Sequence, residues 1–195
     1  MQSKRLSLIR PAILSLGLIS AVTGLLYPAI VTAVAQGSMA EQANGSLLVS
    51  HGKVQGSRLI GQPFAGNGYF WSRPSATGPM PYNGANSSGS NLGPNNPALL
   101  EAAQQRAAAL KAADPAAGKP PADLLSASAS GLDPEISPAA AQFQVPRVAR
   151  ARQMRPEQVE ALVQQHTHLP QWGLFGEARV NVLALNLALD AAQKN

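Results

Sequence analysis

Residues 12–31 read Ala12-Ile-Leu-Ser-Leu-Gly-Leu-Ile-Ser-Ala-Val-Thr-Gly-Leu-Leu-Tyr-Pro-Ala-Ile-Val31, and none of these side chains is charged. A helix needs about 20 apolar residues to cross a bilayer. A single span has to be helical, because in hydrocarbon its backbone polar groups can bond only to one another. The stretch therefore predicts one transmembrane helix, which we place at residues 11–35, between an N-terminal segment at 1–10 and a domain at 36–195. We expect Pro28 to kink this helix locally.

Basic residues flank the stretch on one side only. Lys4, Arg5 and Arg10 precede it, and no Lys or Arg follows it until Lys53. Basic residues accumulate on the cytoplasmic side of membrane spans. The asymmetry therefore predicts a cytoplasmic N-terminus and a domain on the outer side of the membrane.

A cleaved signal peptide is the alternative interpretation of this stretch. Ala33-Val34-Ala35 before Gln36 matches the small-residue cleavage pattern, and the segment begins with basic residues. The apolar core is, however, longer than the roughly 7–15 residues of an ordinary signal peptide, which favours a retained helix. Both interpretations place the domain outside the cytoplasm.

The composition of the 195-residue chain excludes several classes of function. It has no Cys, so the domain has neither disulfides nor thiolate chemistry. Of the net charge of +5, three units come from Lys4, Arg5 and Arg10, and the rest of the chain has 12 basic against 10 acidic residues. That balance does not predict nucleic-acid binding, which requires a strongly basic face.

Capping and turn signals predict that the remainder folds as one α+β domain. Asn96 and Asn181 are candidate N-caps, because Asn accepts hydrogen bonds from the first turn of a helix. The predicted elements are a β-hairpin (46–50 and 53–60) turning at His51-Gly52, a helix from Pro97 to Asp114, a strand within 124–130, a helix from Pro138 interrupted at Pro146, a helix from Pro156, and a buried helix within 180–190.

A long turn-rich segment, residues 61–97, contains the motif Tyr69-Phe-Trp-Ser-Arg-Pro-Ser75. Loops of this length in compact domains are usually functional or disordered. The three adjacent aromatic residues argue against disorder, because they offer a large apolar area for burial. They either fill the core of the domain or contact a partner protein.

The sequence shows little sign of catalytic chemistry. His166 and His168 are two residues apart and would not face each other on a helix, so a zinc site is not predicted. The serines near Asp133 are not set in a nucleophile elbow. A basic run, Arg147, Arg150, Arg152 and Arg155, is interpreted as a solvated helix face or, alternatively, as a docking surface for an acidic partner or for lipid headgroups.

Several segments, taken together in this order and spacing, resemble one protein family. They are Gly56-Ser-Arg-Leu-Ile-Gly-Gln-Pro-Phe64, Tyr69-Phe-Trp-Ser-Arg-Pro-Ser-Ala-Thr77, Pro81-Tyr-Asn83, Ser88-Gly-Ser-Asn-Leu-Gly-Pro94, Ser130-Gly-Leu-Asp-Pro-Glu-Ile-Ser-Pro-Ala-Ala-Ala141, Arg147-Val-Ala-Arg-Ala-Arg152 and the run from Gly176 to Asp190. The chain is similar over nearly its whole length to the C subunits (KdpC) of the bacterial Kdp potassium-transporting ATPase. It departs from them at Ala129, where the family often has Gly, and at Glu135, where it often has His; both concern local loop detail.

The resemblance implies a subunit of a high-affinity K⁺ uptake pump in the bacterial inner (plasma) membrane. Its partners would be a channel-like A subunit that selects K⁺, a P-type ATPase B subunit and a small F subunit. The chain would have no catalytic residues, metal or cofactor of its own, whereas the complex uses ATP, Mg²⁺ and K⁺. It would bind no nucleic acid.

Three functions stay open at this point. The first is an accessory subunit needed for assembly, whose domain covers or braces the outer mouth of the A subunit. The second, which the resemblance also implies, is a catalytic chaperone that raises the ATP affinity of the B subunit through a ternary contact with the nucleotide. The third is a stand-alone exported or membrane-anchored binding protein.

Candidate site residues follow from these expectations. Aromatic and Arg side chains are enriched at interface hot spots, which predicts partner contacts for Tyr69, Phe70, Trp71 and Arg73. An ion-access path or a partner contact is predicted for Ser88, Ser90, Asn91 and Asp133, with closure of their own loops as the alternative. Small residues let membrane helices approach closely, so a packing face is predicted at Gly17, Ala21 and Gly24.

Overall fold

The computed structural model describes residues 2–50 and 52–193, with the side chains of residues 2–7 excepted. The predicted turn residue His51 and the side chains of Lys4 and Arg5 therefore lie outside the described residues. Helices are α1 (Gln2–Ala21), α2 (Tyr27–Ser38), α3 (Ala40–Ala43), α4 (Pro97–Ala113), α5 (Pro138–Arg152), α6 (Pro156–Gln165) and α7 (Val182–Ala192), and strands are β1 (Leu47–Ser50), β2 (Lys53–Ser57), β3 (Glu135–Ile136), β4 (Thr167–His168) and β5 (Arg179–Asn181). The chain divides into two compact units between Ser46 and Leu47.

The N-terminal unit contains the predicted apolar helix. Its apolar part, Leu8–Ser38, is long and apolar enough to cross a membrane by length and composition, and it extends beyond the 11–35 that the sequence predicted. A π-helical turn, Val22–Leu26, joins α1 to α2, and the Tyr27 N–H bonds to the Val22 carbonyl. Pro28, which has no N–H to offer the preceding turn, follows directly. The described irregularity is this π-turn, which ends two residues before Pro28. The kink at Pro28 itself stays a prediction.

The second unit begins with the predicted hairpin of β1 and β2. The strands pair antiparallel, and the register shifts between Leu48 and Val49, where a bulge interrupts the ladder. β2 ends at Ser57, three residues earlier than predicted. The Ser57 hydroxyl accepts a hydrogen bond from the Leu59 N–H at 3.1 Å, a local turn that competes with continued strand pairing.

Both predicted asparagine caps are confirmed. The Asn96 side chain accepts a hydrogen bond from the Ala98 N–H at the start of α4. Asn181 does the same for the Ala184 N–H at the start of α7, and five of the eleven residues of α7 are buried. These helices therefore begin where side-chain capping satisfies their first backbone donors.

The strand predicted within 124–130 is wrong. The chain instead forms a 3₁₀ turn at Ala122–Leu124 and continues as turns and bends. The backbone N–H and the hydroxyl of Ser126 both donate to the Ala122 carbonyl at 2.9 Å. Alternating serines and alanines offer little side chain to pack on a sheet, so these local hydrogen bonds decide the conformation.

The interruption predicted at Pro146 is also wrong, because α5 continues through it to Arg152. Proline removes one backbone hydrogen bond from a helix interior. Its neighbours Val145, Arg147 and Val148 are all buried. Tertiary packing on both sides of the proline keeps the helix intact.

A small sheet and three helices make the core of the second unit. β5 lies between β3 and β4 and pairs antiparallel with both, so that Val180 lies opposite Ile136 and Thr167. The core residues come mainly from α5, α6 and α7, joined by Phe70 from the long segment 61–97 and by Leu110 from α4. The observed architecture is the predicted one, an α+β domain after a single apolar helix.

Candidate functional site

Two buried side-chain amides hold the backbone of the aromatic motif. Asn186 of α7 accepts a hydrogen bond from the Phe70 N–H at 2.9 Å and donates to the Phe70 carbonyl at 3.0 Å. Gln144 of α5 forms the same pair of hydrogen bonds with the next residue. It accepts from the Trp71 N–H at 2.7 Å and donates to the Trp71 carbonyl at 3.1 Å. The motif therefore has the backbone pairing of a strand, although side chains supply the partners.

Arg147 forms hydrogen bonds to the backbone of the turn that leads into the motif. Its guanidinium donates to the carbonyls of Asn67 at 2.7 Å and Tyr69 at 3.0 Å, and to Gln144 Oε1 at 2.7 Å. Its Cζ also lies 4.3 Å from the centroid of the Trp71 ring, within cation–π range. Burial lowers the pKa of Arg147 to about 10, an effect that the negative charge of Asp114 partly offsets. The group is therefore still charged at neutral pH.

Arg152 lies about one and a half turns further along α5 and contacts the other side of the motif. It donates to the Gly68 carbonyl and forms an ion pair with Asp190 of α7 at 2.8 Å. Its Cζ lies 4.6 Å from the centroid of the Tyr69 ring, and the Tyr69 hydroxyl donates to Asp190 at 3.3 Å. Arginine, tyrosine and aspartate thus join α5, the motif and α7 in one network.

This arrangement corrects the interpretation of the basic run as a solvated face for two of its four arginines. Arg147 and Arg152 are buried and bond inside the domain. Arg150 forms an ion pair with the buried Asp114 at 3.3 Å, and of the four arginines Arg155 is exposed without an ion pair among the described residues. A charged side chain can be buried where several hydrogen bonds satisfy it, and here backbone carbonyls from the long segment do so.

The aromatic residues divide between core and surface. Phe70 is fully buried, so of the two uses that the sequence left open, core or partner contact, its side chain serves the core. Trp71 is half-buried against that core, and its indole N–H donates to the Gly66 carbonyl at 3.0 Å. Tyr69 is half-buried beside Phe64, with 5.5 Å between the ring centroids. The partner-contact prediction is therefore limited to the outer edges of these two rings.

Arg73 and Asp133 are brought together, as part of a cleft. Their ion pair measures 3.0 Å, and the side chains are 27% and 28% exposed. The cleft has a volume of about 310 Å³ and its charged lining also includes Asp123, Glu135, Glu177 and Arg179. Glu135 pairs with Arg179 at 3.0 Å and Asp123 accepts from the Ser137 N–H at 2.8 Å. Most of its charges are therefore already engaged within the domain.

The residues Ser88, Ser90 and Asn91 lie on a loop beside the segment 129–131. A Cβ on Gly131 would come within 2.6 Å of the Ser88 carbonyl oxygen, and one on Gly89 within 2.8 Å of the Ala129 carbonyl oxygen. Ser90 and Asn91 are exposed, and Asn91 has φ of 52°, a left-handed conformation that Asn adopts more readily than most residues. The geometry favours loop closure, and a role in ion access stays a prediction.

The titratable groups of the described region do not form a reactive cluster. Within residues 2–50 and 52–193, no three His, Asp or Glu side chains are placed to hold a metal ion together. Burial lowers the pKa of His166, and the nearby His168 lowers it further. Burial also raises the pKa of the Tyr82 hydroxyl. Both shifts have burial as their largest cause.

The sequence alone did not reveal that the side chains of Asn186, Gln144, Arg147 and Arg152 bind the backbone of the aromatic motif and of the turn before it. One signal was present, because Asn186 interrupts the otherwise apolar run of α7. A lone polar residue at a buried helical position needs a partner. Which backbone it meets could not be read from spacing, since Asn186 and Phe70 are 116 residues apart.

Comparison with known proteins identifies the family. A family model described as "K+-transporting ATPase, c chain" (KdpC) matches residues 9–191. The chain belongs to the KdpC family. Potassium-transporting ATPase KdpC subunits of Dechloromonas aromatica and Variovorax paradoxus are each 59% identical to it, over 96% and 95% of this chain and 99% and 97% of theirs. The KdpC subunit of Herpetosiphon aurantiacus is 60% identical over 93% of this chain and 94% of its own.

Membership of the KdpC family confirms the resemblance seen in the sequence. It makes the chain a subunit of a potassium-transporting ATPase with an accessory role, and thereby implies partner subunits. The single apolar helix is consistent with a single-pass membrane protein in such a transport complex. The family assignment also disfavours the alternative of a stand-alone exported binding protein.

Proposed function

We propose that this chain is a non-catalytic accessory subunit required for assembly of the pump, with its domain outside the cytoplasm, where it covers or braces the outer entrance of a channel-like subunit. The observation that carries this proposal is the charge asymmetry about the apolar helix. Arg10 and the two basic residues before it precede the helix, and the next basic residue after it is Lys53. By the positive-inside rule this asymmetry favours an external domain.

The internal bonding of the domain supports a bracing role. The most strongly bonded side chains, Asn186, Gln144 and Arg147, all fix the chain's own backbone. A domain whose loop backbone is fixed by its own side chains suits a structural subunit, since it loses little further freedom on docking. We propose that the chain holds no cofactor of its own and that ATP, Mg²⁺ and K⁺ are used by its partner subunits, a channel-like A subunit, a P-type ATPase B subunit and a small F subunit.

The alternative, a catalytic chaperone that raises ATP affinity, makes a different demand on topology. ATP is hydrolysed in the cytoplasm, so a direct contact with nucleotide requires the domain there as well. An external domain can influence ATP affinity only through a two-state element that both sites bias. The side of the membrane on which the domain lies therefore separates the two functions.

In the membrane we propose that the small residues of the apolar helix face a partner helix. Added Cβ atoms at Gly17 and Gly24 would meet no atom within 4 Å, so that both positions are open to a neighbour. Gly24, however, lies within the π-turn, which rotates it relative to Ala21 compared with a regular α-helix. The packing face is thus best placed at Gly17 and Ala21, with Gly24 set to one side.

A labelling experiment tests the topology directly. Because the chain has no Cys, Lys119→Cys and Ser3→Cys each introduce a single thiol, one in the domain and one in the N-terminal segment. In intact cells with a permeable outer barrier, a membrane-impermeant maleimide should label Lys119→Cys and should label Ser3→Cys only after lysis. The reverse pattern would contradict the proposal and favour the ATP-linked alternative.

Purification from membranes through a tag after Asn195 tests the assembly role. We expect the full-length chain to retain two large membrane subunits in mild detergent, and expect both to be lost from membranes when the gene for this chain is deleted. A soluble product beginning near Gln36 would show that the helix is a cleaved signal peptide and would exclude an anchored subunit.

A further inference from the structure

Between β4 and β5 the domain displays a cluster of apolar side chains to solvent, on residues 169–176, which we call the tip loop. Trp172 is 85% exposed and Leu174 77% exposed, and Leu169 and Phe175 are also exposed. Single exposed apolar residues are ordinary, whereas a contiguous cluster usually marks an interaction site. Trp71, the other tryptophan of the chain, is half-buried.

Hydrogen bonds and a ring contact hold the tip loop in a defined turn. Gln171 and Phe175 exchange two backbone hydrogen bonds, of 2.8 and 3.0 Å. Trp172 and Gly173 turn the chain with φ of 55° and 73°, and the Trp172 ring packs edge-on against Phe175 with 6.0 Å between centroids. A left-handed conformation at a tryptophan is costly, so the hydrogen bonds between Gln171 and Phe175 must offset it. In this turn the Trp172 and Phe175 rings already contact each other.

The charge around the tip loop distinguishes a protein partner from a lipid surface. From Pro156 to Ala178 the sequence contains no Lys or Arg and three Glu, of which Glu177 adjoins the loop. Arg179, at the base of the loop opposite His168, is paired with Glu135 at 3.0 Å. Segments that insert into anionic membranes usually carry Lys or Arg beside their apolar residues. Interface cores, in contrast, are depleted of charge and enriched in Trp and Phe. The pattern favours a protein.

We infer that the tip loop docks into an apolar recess, with a neutral or basic rim, on the extracytoplasmic surface of a larger subunit of the same ATPase. The inference rests on the proposed function, since it takes the domain to be outside. Trp172 is the expected anchor, because buried tryptophans dominate interface energetics. The acidic Glu177 complements a basic rim, is compatible with a neutral one and would disfavour an acidic one.

A shallow groove extends the docking surface from the loop onto the domain. It has a volume of about 540 Å³ and is lined by Pro138 and Ala139 of α5, Val163 of α6 and Leu169 of the tip loop, among others. Leu169 belongs to both features, so that the loop and the groove form one continuous surface. A partner segment lying in the groove would contact the tip loop at the same time.

Co-purification of the intact complex through a tag after Asn195 tests the inference. The double substitution Trp172→Ala/Leu174→Ala should reduce the recovered large subunits at least tenfold, because both anchors are lost. The matched control is Leu100→Ala on α4, a leucine that is 63% exposed, which should change recovery less than twofold. Equal recovery with the double variant would overturn the inference, whereas a wild-type chain that recovers no partner would overturn the proposed function itself.

Crosslinking identifies the class of partner without depending on recovery. With Leu174→Cys as the single thiol of the chain, a photoactivatable maleimide should join the tip loop to a large protein subunit in membranes. The control Leu100→Cys should give at least tenfold less of that product. A crosslink to phospholipid alone, or none, would show that the loop meets the bilayer or solvent and would overturn the inference.

Discussion

The side-chain amide of Asn186 replaces a neighbouring strand for Phe70, accepting from its N–H at 2.9 Å and donating to its carbonyl at 3.0 Å across 116 residues of sequence. Both residues are fully buried. An unpartnered backbone donor or acceptor in such a place costs free energy comparable to a lost hydrogen bond. This amide therefore fixes α7 to the aromatic motif, together with the bonds of Tyr69 and Arg152 to Asp190.

Asn186→Ala should lower the free energy of unfolding by about 2–4 kcal/mol, because it leaves two buried backbone groups of Phe70 unsatisfied. Urea unfolding of the full chain in detergent measures this, with Trp71 emission as the signal in a Trp172→Phe background. Gln104→Ala, which removes an exposed amide from α4, should change stability by less than about 0.5 kcal/mol. An equally small effect at Asn186 would show that water replaces the lost amide.

Arg147→Lys should also destabilise the domain by about 2–4 kcal/mol, although it conserves the charge. A lysine ammonium cannot reach the carbonyls of Asn67 and Tyr69 together while lying over the Trp71 ring, as the planar guanidinium does. The same urea measurement applies. Arg155→Lys at an exposed position is the control and should be close to neutral. If Arg147→Lys were as neutral as the control, the hydrogen bonds that only a guanidinium can make at this position would contribute nothing to stability.

The parts of the fold that follow from local rules were predictable from the sequence. The caps at Asn96 and Asn181 depend on hydrogen bonds within three residues, and the uncharged run of 20 residues indicates its helix by length alone. Burial of Arg147 and Arg152 was not predictable. It depends on carbonyls about 80 residues away in the chain, and a local pattern of basic residues carries no information about them.

The candidate site was predictable to a similar extent. The motif around Tyr69 was recognised as important because of its aromatic content, and Arg73 and Asp133 were both selected and do meet. The full burial of Phe70 could not be separated from partner contact by composition, because both uses favour aromatic residues. The tip loop was overlooked since Trp172, Leu174 and Phe175 lie in an irregular segment without helical or strand periodicity.

The ion pair of Arg73 and Asp133 should contribute modestly to stability. Both side chains are more than a quarter exposed, so solvent screens their attraction. A double-mutant cycle with Arg73→Gln and Asp133→Asn should give a coupling free energy of about 0.5–1.5 kcal/mol. Asn at position 133 can still accept from the Glu135 N–H, as Asp133 does at 3.0 Å, so the cycle isolates the charge. A coupling free energy near zero would show that the ion pair adds nothing to stability and only positions its two side chains in the cleft.

His166 should make the stability of the domain fall as the pH decreases. Burial and the neighbouring His168 lower its pKa from the ordinary value of 6.5. The unfolded chain therefore binds more protons than the folded one below about pH 6.5, and stability is lost from that pH downward until the folded-state pKa is passed. His166→Gln should flatten this decline in the urea midpoint between pH 7.5 and 5.

The second cause of the shift can be tested separately at the same histidine. If His168 lowers the pKa of His166 through its charge, His168→Gln should move the His166 pKa upward, toward 6.5. An NMR titration of the His166 imidazole protons in micelles measures this. A pKa that does not move would assign the whole shift to burial, and a pKa above 6.5 in the wild-type chain would contradict the predicted direction.

Gln153→Gly should stabilise the domain by about 1 kcal/mol. Gln153 ends α5 with φ of 56°, a left-handed conformation in which its N–H bonds to the Ala149 and Arg150 carbonyls. That conformation costs a residue with a Cβ about 1–2 kcal/mol and costs glycine little. Two residues earlier, the exposed Ala151 lies inside the helix, so Ala151→Gly should have the opposite effect, a loss of about 1 kcal/mol. Urea midpoints that moved in the same direction for both substitutions would show that glycine acts through the unfolded chain, because its flexibility there would outweigh the relief of strain at the end of α5.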